Sequence, residues 1–226
     1  MSSSTKPRVV RSHFPTRVIL RGAHRDVWEN LALDFAQRCA YSMQHTSRAG
    51  GRRSMEVDHF NPNKKRDYVQ AYDNLFLATR HCNSAKRDRW PTSKQRTLGI
   101  RFLNCCKEAD YGVHIFEDPD THEVVGVTPA GRYHVRSCDL NAQHLVDERA
   151  ERAALWLLLE TKPITEKTRV STKVQTMVEN RKLLLECVEA IRHCAEAAIP
   201  KIPYLSGEAL NNHRALKQAL AAPVLK

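Results

Sequence analysis

Asp58, His59 and Asn83 are the residues of this chain whose types and spacing best suit chemistry on a phosphate group. Asp58 and His59 are adjacent, and Asn83 follows His59 by 24 residues. A carboxylate and an amide oxygen form a sparse set of hard ligands, which suits Mg²⁺ or Mn²⁺ completed by water and phosphate oxygens. One member of the Asp-His pair can then bind the ion while the other reaches a water molecule. The segment therefore predicts a metal-assisted site.

The elements that must position these residues lie between 55 and 90. Apolar and polar residues alternate from Met55 to His59, which predicts a short strand, and 75–78 is a second short apolar run. Residues 82–90 read as a short helix that ends before Pro91. Since neighbouring strand residues face opposite sides, one way for Asp58 and His59 to act together is to lie at a strand end.

The flanking segments predict further elements. Residues 1–23 are basic and carry two prolines, so we expect an extended arm or a partly ordered lead-in. Asp26 can cap a helix that runs to about Cys39. Further along, the patterns predict a hairpin between 113–116 and 123–127, a helix capped by Asn141 that runs to about Glu160, an amphipathic helix over roughly 172–197, and a last helix from about Ser206.

The charge of the chain is unevenly distributed. Residues 1–110 hold 21 Lys and Arg against 10 Asp and Glu, whereas residues 111–226 hold 15 of each, so the whole net charge of +11 lies in the first half. A polyanion such as nucleic acid, or an anionic membrane surface, is the natural partner of such a half. The longest apolar run is far shorter than a membrane span, and the N-terminus has no apolar signal region, so we expect a cytoplasmic protein with reduced thiols.

Three motifs in this region resemble those of the HNH endonuclease family. The family pattern is Asp-His-x-x-Pro, then Asn-Leu, then Cys-Asn-x-x-Lys. These motifs correspond here to 58–62, 74–75 and 82–86, in the family's order and spacing. The resemblance covers roughly residues 39–90, less than a third of the chain. A weaker similarity, over 140–149, is to a segment that often follows the nuclease core in bacterial HNH proteins.

The resemblance implies a role for each matching residue. His59 is the general base that takes a proton from the attacking water, and Asp58 and Asn83 hold one divalent cation, Mg²⁺ or Mn²⁺. Asn74 pins the loop between the two strands and orients His59. Basic residues near this core in sequence are candidates for phosphate contacts; they are Arg52, Arg53, Lys64, Lys65, Arg66, Lys86 and Arg87.

Many HNH proteins also hold a zinc ion with two Cys-x-x-Cys pairs, and this chain departs from that pattern. Cys39 and Cys82 are present, but Ser42 and Thr79 stand where their mates belong. We therefore expect no Cys₄ zinc site, and we expect the two remaining thiols to pack as small apolar groups. A substitute site that recruits His45 and His81 is the alternative.

The sequence thus predicts an α+β protein with three parts: a basic arm at 1–23, an HNH ββα-metal finger core with an N-terminal helix at 24–110, and a hairpin followed by a mainly helical region at 111–226. The predicted activity is metal-dependent hydrolysis of DNA, with RNA left open as a substrate and a homodimer left open as the assembly. A less secure resemblance, to HNH subunits of anti-phage systems such as Septu, implies an ATPase partner. The alternative is a catalytically weak nucleic-acid-binding subunit that docks on such an ATPase.

Overall fold

A computed structural model of the chain describes residues 6–160 and 202–221. These residues form a mixed α+β structure with three two-stranded antiparallel sheets and six helices. The strands are β1 (Ile19–Leu20), β2 (Met55–His59), β3 (Val69–Gln70), β4 (Leu75–Thr79), β5 (Ile115–Glu117) and β6 (Val124–Gly126). The helices are α1 (Trp28–Asp34), α2 (Arg80–Lys86), α3 (Ser93–Thr97), α4 (Pro129–Ser137), α5 (Gln143–Glu160) and α6 (Gly207–Ala221).

Among the described residues, 6–147 and 202–221 belong to one compact unit, and 148–160 belong to a second. The first unit has one buried apolar core, which takes Leu77 and Phe102 as well as Ile115 and Leu140. The predicted division after residue 110 lies inside this unit. The amphipathic helix predicted at 172–197 lies outside the described residues.

The pair β2–β4 is the centre of the first unit. Met55 lies opposite Thr79 and His59 lies opposite Leu75, and every residue of β4 is buried. Thr79 is the last residue of β4 and also the N-cap of α2, in which its hydroxyl accepts a hydrogen bond from the amide of Cys82. The predicted order of strand, loop, strand and helix is confirmed. The predicted end of the helix near Trp90 is wrong, since α2 ends at Lys86 and Arg87 has a φ of +52°.

The helix predicted from Asp26 to Cys39 is shorter in the structure. A 3₁₀ turn at His24–Val27 leads into α1, and the side chain of Asp26 makes no capping hydrogen bond, so that prediction is wrong. The helix stops at Asp34 because Ala36 and Gln37 have φ of +49° and +59°, outside the right-handed helical region. Leu31 and Ala32 of α1 belong to the buried core that also contains β4.

The N-terminal segment packs onto the core from residue 6 onwards. β1 pairs with β3, and Arg8 forms an ion pair of 2.6 Å with Asp110. Burial raises the pKa of the Asp110 carboxyl, but the Arg8 guanidinium outweighs this and lowers it below its usual range. Arg11 donates hydrogen bonds to two backbone carbonyls of the core. Two of the basic residues of the predicted arm are therefore structural.

The segment after residue 110 contains the predicted hairpin, in which Ile115 pairs with Gly126. Helix α4 was not predicted, although Thr128 and Pro129 form a typical helix start, with the Thr128 hydroxyl accepting from the amide of Gly131. α4 lies so close to β6 that a Cβ at Gly126 would come within 2.2 Å of a backbone atom of α4.

Two of the helices predicted after residue 140 lie in the described residues, and both are present. α5 begins at Gln143 and runs to Glu160, and α6 confirms the last predicted helix. The side-chain amide of Asn141, the predicted cap of α5, bonds to the backbone of Val124 in the hairpin. In the part of the chain that the structure describes, no helix combines the length and apolarity needed to cross a membrane.

Candidate active site

The site is built on the face of β2 that α2 covers. Residues two apart in a strand share a face, so Glu56 and Asp58 point to the same side. Two residues of α2, Asn83 and Lys86, reach these carboxylates: the Nδ2 of Asn83 donates to Glu56 at 2.7 Å, and the Nζ of Lys86 lies 3.0 Å from Asp58. The helix therefore docks on the strand through polar contacts at the predicted catalytic residues.

His59 is held by a partner that the sequence did not identify. Its Nε2 lies 2.6 Å from the Oε1 of Gln70, and both side chains are buried. The Nε2 of Gln70 donates to the backbone carbonyl of Asp67, so its Oε1 must face the histidine as an acceptor. Nε2 of a neutral His59 then carries the proton, which leaves Nδ1 as the basic nitrogen.

Asn74 lies where the sequence predicts it, at the end of the loop between the two strands. Its Oδ1 accepts from the amide of Asn61 at 2.8 Å, and its Nδ2 donates to the carbonyl of the same residue at 3.1 Å. The carbonyl of Asn74 also accepts from the amide of Phe60. These bonds fix the two residues that follow His59, so Asn74 acts on His59 through the backbone, whereas Gln70 contacts its ring.

Asp58 is surrounded by hydrogen-bond donors. The hydroxyl of Tyr41 donates to its Oδ2, and the ammonium of Lys86 lies 3.1 Å from Oδ1 and 2.9 Å from the carbonyl of His59. Burial first, and then the nearby charge of Asp58, raises the pKa of Tyr41 well above its usual value, so Tyr41 stays a hydrogen-bond donor. Asp58 is thus an ionic partner of Lys86 at the centre of the site.

One cleft of about 380 Å³ brings the predicted catalytic residues together. It is lined by Val57, Asp58, His59, Lys65, Asn83, Ser84, Arg87 and Asp88. Since Asn83 uses its Nδ2 on Glu56, its Oδ1 remains as the oxygen that a cation would take. The donor types, one carboxylate and one amide oxygen, fit Mg²⁺ or Mn²⁺, which complete their shells with water and phosphate. A cation here would share Asp58 with the ammonium of Lys86.

The basic residues predicted to contact phosphate divide into two groups. Six of them are exposed: Arg52 and Arg53 before β2, Lys64, Lys65 and Arg66 on the 3₁₀ turn after it, and Arg87 after α2. Lys65 and Arg87 line the cleft with His59. The prediction that Lys86 contacts phosphate is wrong, because its side chain is fully buried in the ion pair with Asp58 and has no surface to offer a phosphate.

The four positions of the missing zinc site do come together. The amide of Ser42 and the hydroxyl of Thr79 both donate to the sulfur of Cys39, and the hydroxyl of Thr79 accepts from the amide of Cys82. The contact with Cys39, and then burial, raises the pKa of the Cys82 thiol. Across residues 6–160 and 202–221, no three His, Cys, Asp or Glu side chains are grouped to hold a metal.

His45 and His81, the histidines of the alternative zinc site, have other hydrogen-bonding partners. His45 pairs with the hydroxyl of Ser47 at 2.8 Å, and His81 lies 3.3 Å from the carboxylate of Asp139. At the four positions of the missing zinc site, Thr79 links the two cysteines: its hydroxyl donates to the sulfur of Cys39 and accepts from the amide of Cys82. Cys39 and Cys82 therefore form a small buried polar cluster with Ser42 and Thr79. This cluster joins the segment before β2 to the start of α2.

Tyr41, Glu56 and Gln70 are site residues that sequence reasoning missed. Tyr41 and Gln70 lie in stretches with no distinguishing pattern, and Glu56 lies in the predicted strand without a predicted role. The partners of the three residues are between 11 and 27 positions away in the chain. Comparison with family models, with curated proteins and with solved structures finds no match to this chain.

Proposed function

We propose that this protein is a metal-dependent endonuclease that hydrolyses phosphodiester bonds of DNA. The observation that carries the proposal is the meeting of His59, Asp58 and Asn83 in one cleft, with Lys65 and Arg87 on its rim. A base and hard oxygen ligands for a metal ion are components of metal-assisted phosphodiester hydrolysis, and exposed cations can hold the charged strand. The three-part sequence motif that resembles the HNH family contributes the choice of reaction and of DNA as substrate.

The protein's own groups would divide the work as follows. His59, with Nε2 bonded to Gln70, accepts a proton from the attacking water at Nδ1. Asn74 holds the backbone after His59 so that the ring keeps its position. Asp58 and Asn83 would hold Mg²⁺ or Mn²⁺, which supplies charge stabilisation for the scissile phosphate and the leaving oxygen. Arg87 and Lys65 attract and position the strand.

The test is the conversion of supercoiled plasmid DNA by the purified protein in Mg²⁺ or Mn²⁺, followed on a gel. His59→Ala should lower the rate by at least about 100-fold, since general-base catalysis contributes about 10²–10⁴-fold. His144→Ala is the matched control, because His144 is an exposed histidine that packs against the ring of His81 and does not belong to the lining of the cleft with His59. If His59→Ala cuts at the parental rate, the proposed mechanism is wrong.

A second candidate function is binding of nucleic acid without cleavage, as a subunit that docks on an ATPase partner. The ion pair between Asp58 and Lys86 favours it, because the ammonium already neutralises the carboxylate that a metal ion would use. Under this function Asp58→Asn leaves the biological effect of the complex intact, and the parent protein binds DNA without cutting it in either metal. Loss of the effect in Asp58→Asn, with DNA binding retained, favours the endonuclease.

A further inference from the structure

A second cleft lies beside the proposed active site and is lined by arginines. It measures about 410 Å³, and we call it the arginine cleft. Its lining consists of two apolar residues of β2 together with Arg25, Trp28, Arg52, Glu56, Arg80 and Asn83. It shares Asn83 and Val57 with the catalytic cleft, so the two are continuous at the proposed metal ligand. An adjoining depression repeats three of its arginines and adds Arg53.

Two of the arginines, Arg52 and Arg80, are held in place by acidic and backbone partners. Arg52 donates to Glu29 at 2.8 Å, and Arg80 donates to Glu56 and to the carbonyl of Arg53, both at 3.0 Å. Within the part of the chain that the structure describes, Arg25 has no acidic partner. Counting Arg53, four guanidinium groups surround the cleft and its rim against two carboxylates, which leaves the cleft positive. The hydrogen bonds of Arg52 and Arg80 orient two of the four groups.

Trp28 adds a second observation that points to a ligand. Its ring lies 4.4 Å beneath the guanidinium of Arg52, and it is only 9% exposed. Its Nε1–H is buried and has no hydrogen-bond partner among the described residues. A buried donor without an acceptor costs about 1–3 kcal/mol, so a group that supplies an oxygen here is favoured. Because Trp28 lines the arginine cleft, an anion bound there can supply such an oxygen.

We infer that the arginine cleft binds a backbone phosphate of the nucleic-acid strand that passes through the catalytic cleft, one step along the strand from the bond that is cut. The planar forks of Arg25, Arg52 and Arg80 match phosphate oxygens, and the shared residue Asn83 makes the path continuous. Glu56 links the two clefts, because it accepts from Arg80 on one side and from Asn83 on the other. The inference extends the proposed function by giving the strand its direction across the surface.

The test measures binding apart from cleavage. A fluorescein-labelled single strand of roughly 20 nucleotides is titrated with the His59→Ala protein in EDTA, and polarisation gives the Kd. Arg25→Ala and Arg80→Ala, each added to His59→Ala, should weaken binding about five- to tenfold and lower the slope of log Kd against log salt by about one. Arg132→Ala is the control, since Arg132 is an exposed arginine outside the cleft that donates to the carbonyl of Val127.

Trp28→Phe keeps the aromatic ring and removes the N–H, so it tests the buried donor without emptying the site. It should weaken binding about threefold or more, to the extent of one hydrogen bond. Circular dichroism of each variant confirms that the fold is retained.

The outcomes separate this inference from the proposed function. If Arg25→Ala and Arg80→Ala bind like Arg132→Ala, the arginine cleft is not on the strand's path and the inference is wrong, even if the parent protein cleaves DNA. If binding depends on both arginines but the parent cleaves nothing in Mg²⁺ or Mn²⁺, the inference stands and the endonuclease fails. If the His59→Ala protein binds inorganic phosphate but has no affinity for the labelled strand, the inference is also wrong.

Discussion

Replacing Lys86 with Met removes the ammonium group that lies against Asp58 and keeps a side chain of similar length. Lys86 is fully buried, with Nζ 3.0 Å from the Asp58 carboxylate and 2.9 Å from the carbonyl of His59. After the substitution the carboxylate stays in the interior with the Tyr41 hydroxyl as the remaining partner described here. A buried charge that loses its counterion is among the most destabilising changes a protein can undergo.

The magnitude follows from the burial of this pair. Breaking a buried ion pair by removing one partner costs about 3–5 kcal/mol, against a typical total stability of about 5–15 kcal/mol. For a chain of this size, each kcal/mol shifts Tm by about 2–4 °C, so Lys86→Met should lower Tm by roughly 6–20 °C. Combining it with Asp58→Asn removes the stranded charge and should recover most of the loss, because well-packed neutral pairs replace buried ion pairs at little cost.

The assay is urea unfolding followed by circular dichroism, with the parent, both single variants and the double variant compared. Lys65→Met is the control, since Lys65 makes an exposed pair of 3.5 Å with Asp88 and should change stability by no more than about 1 kcal/mol. A Lys86→Met protein within about 1 kcal/mol of the parent would refute the buried pair. A double variant no more stable than the single one would refute the stranded charge as the cause.

Three further predictions concern a buried histidine and the support of His59. Burial lowers the pKa of His134 to about 4, and its Nδ1 accepts from the amide of Leu103, so the folded state holds it neutral. Unfolding lets His134 take up a proton, so its contribution to stability is full above about pH 6.5 and falls by about 3 kcal/mol towards pH 4. His134→Asn keeps an acceptor but does not titrate, so the urea midpoint of this variant should depend less on pH over that range. Gln70→Met should lower kcat of plasmid cleavage at least about tenfold at unchanged KM, and Gln70→Glu should restore part of it by keeping an acceptor oxygen; equal activity of Gln70→Met and parent would remove Gln70 from the site. Asn74→Ala should lower Tm and kcat together, because it leaves the amide of Asn61 without its acceptor. If neither changes, the conformation of the loop does not depend on the side chain of Asn74.

The ββα unit could be predicted from sequence because its cues are local. Alternation from Met55 to His59 indicates a strand, and the apolar run from Leu75 sits at a spacing that lets it pair, which the structure confirms. Thr128 and Pro129 offered an equally local cue for α4 that was not used. The end of α1 could not be predicted, because it depends on positive φ at Ala36 and Gln37, which are not residue types that favour that region.

The site residues that sequence reasoning misplaced depend on contacts between distant segments. Lys86 carries a charge that is normally exposed, and only its pairing with Asp58, 28 positions earlier, brings it inside. Arg8 is partly buried for the same reason, through Asp110, which is 102 positions away. Gln70 has no motif at all, and its importance follows from a single bond to His59. Long-range pairing of polar groups is what the sequence pattern could not provide.

The central claim is that His59 activates water for phosphodiester hydrolysis, and plasmid cleavage with and without metal tests it most directly. The account predicts that the parent converts supercoiled DNA to nicked circles in Mg²⁺ or Mn²⁺, that EDTA stops the reaction, and that His59→Ala is at least about 100-fold slower while His144→Ala is not. Nicked circles come first, since one chain carries one His59 and so one proposed general base. Cleavage by His59→Ala at the parental rate, or cleavage that continues in EDTA, would contradict the account.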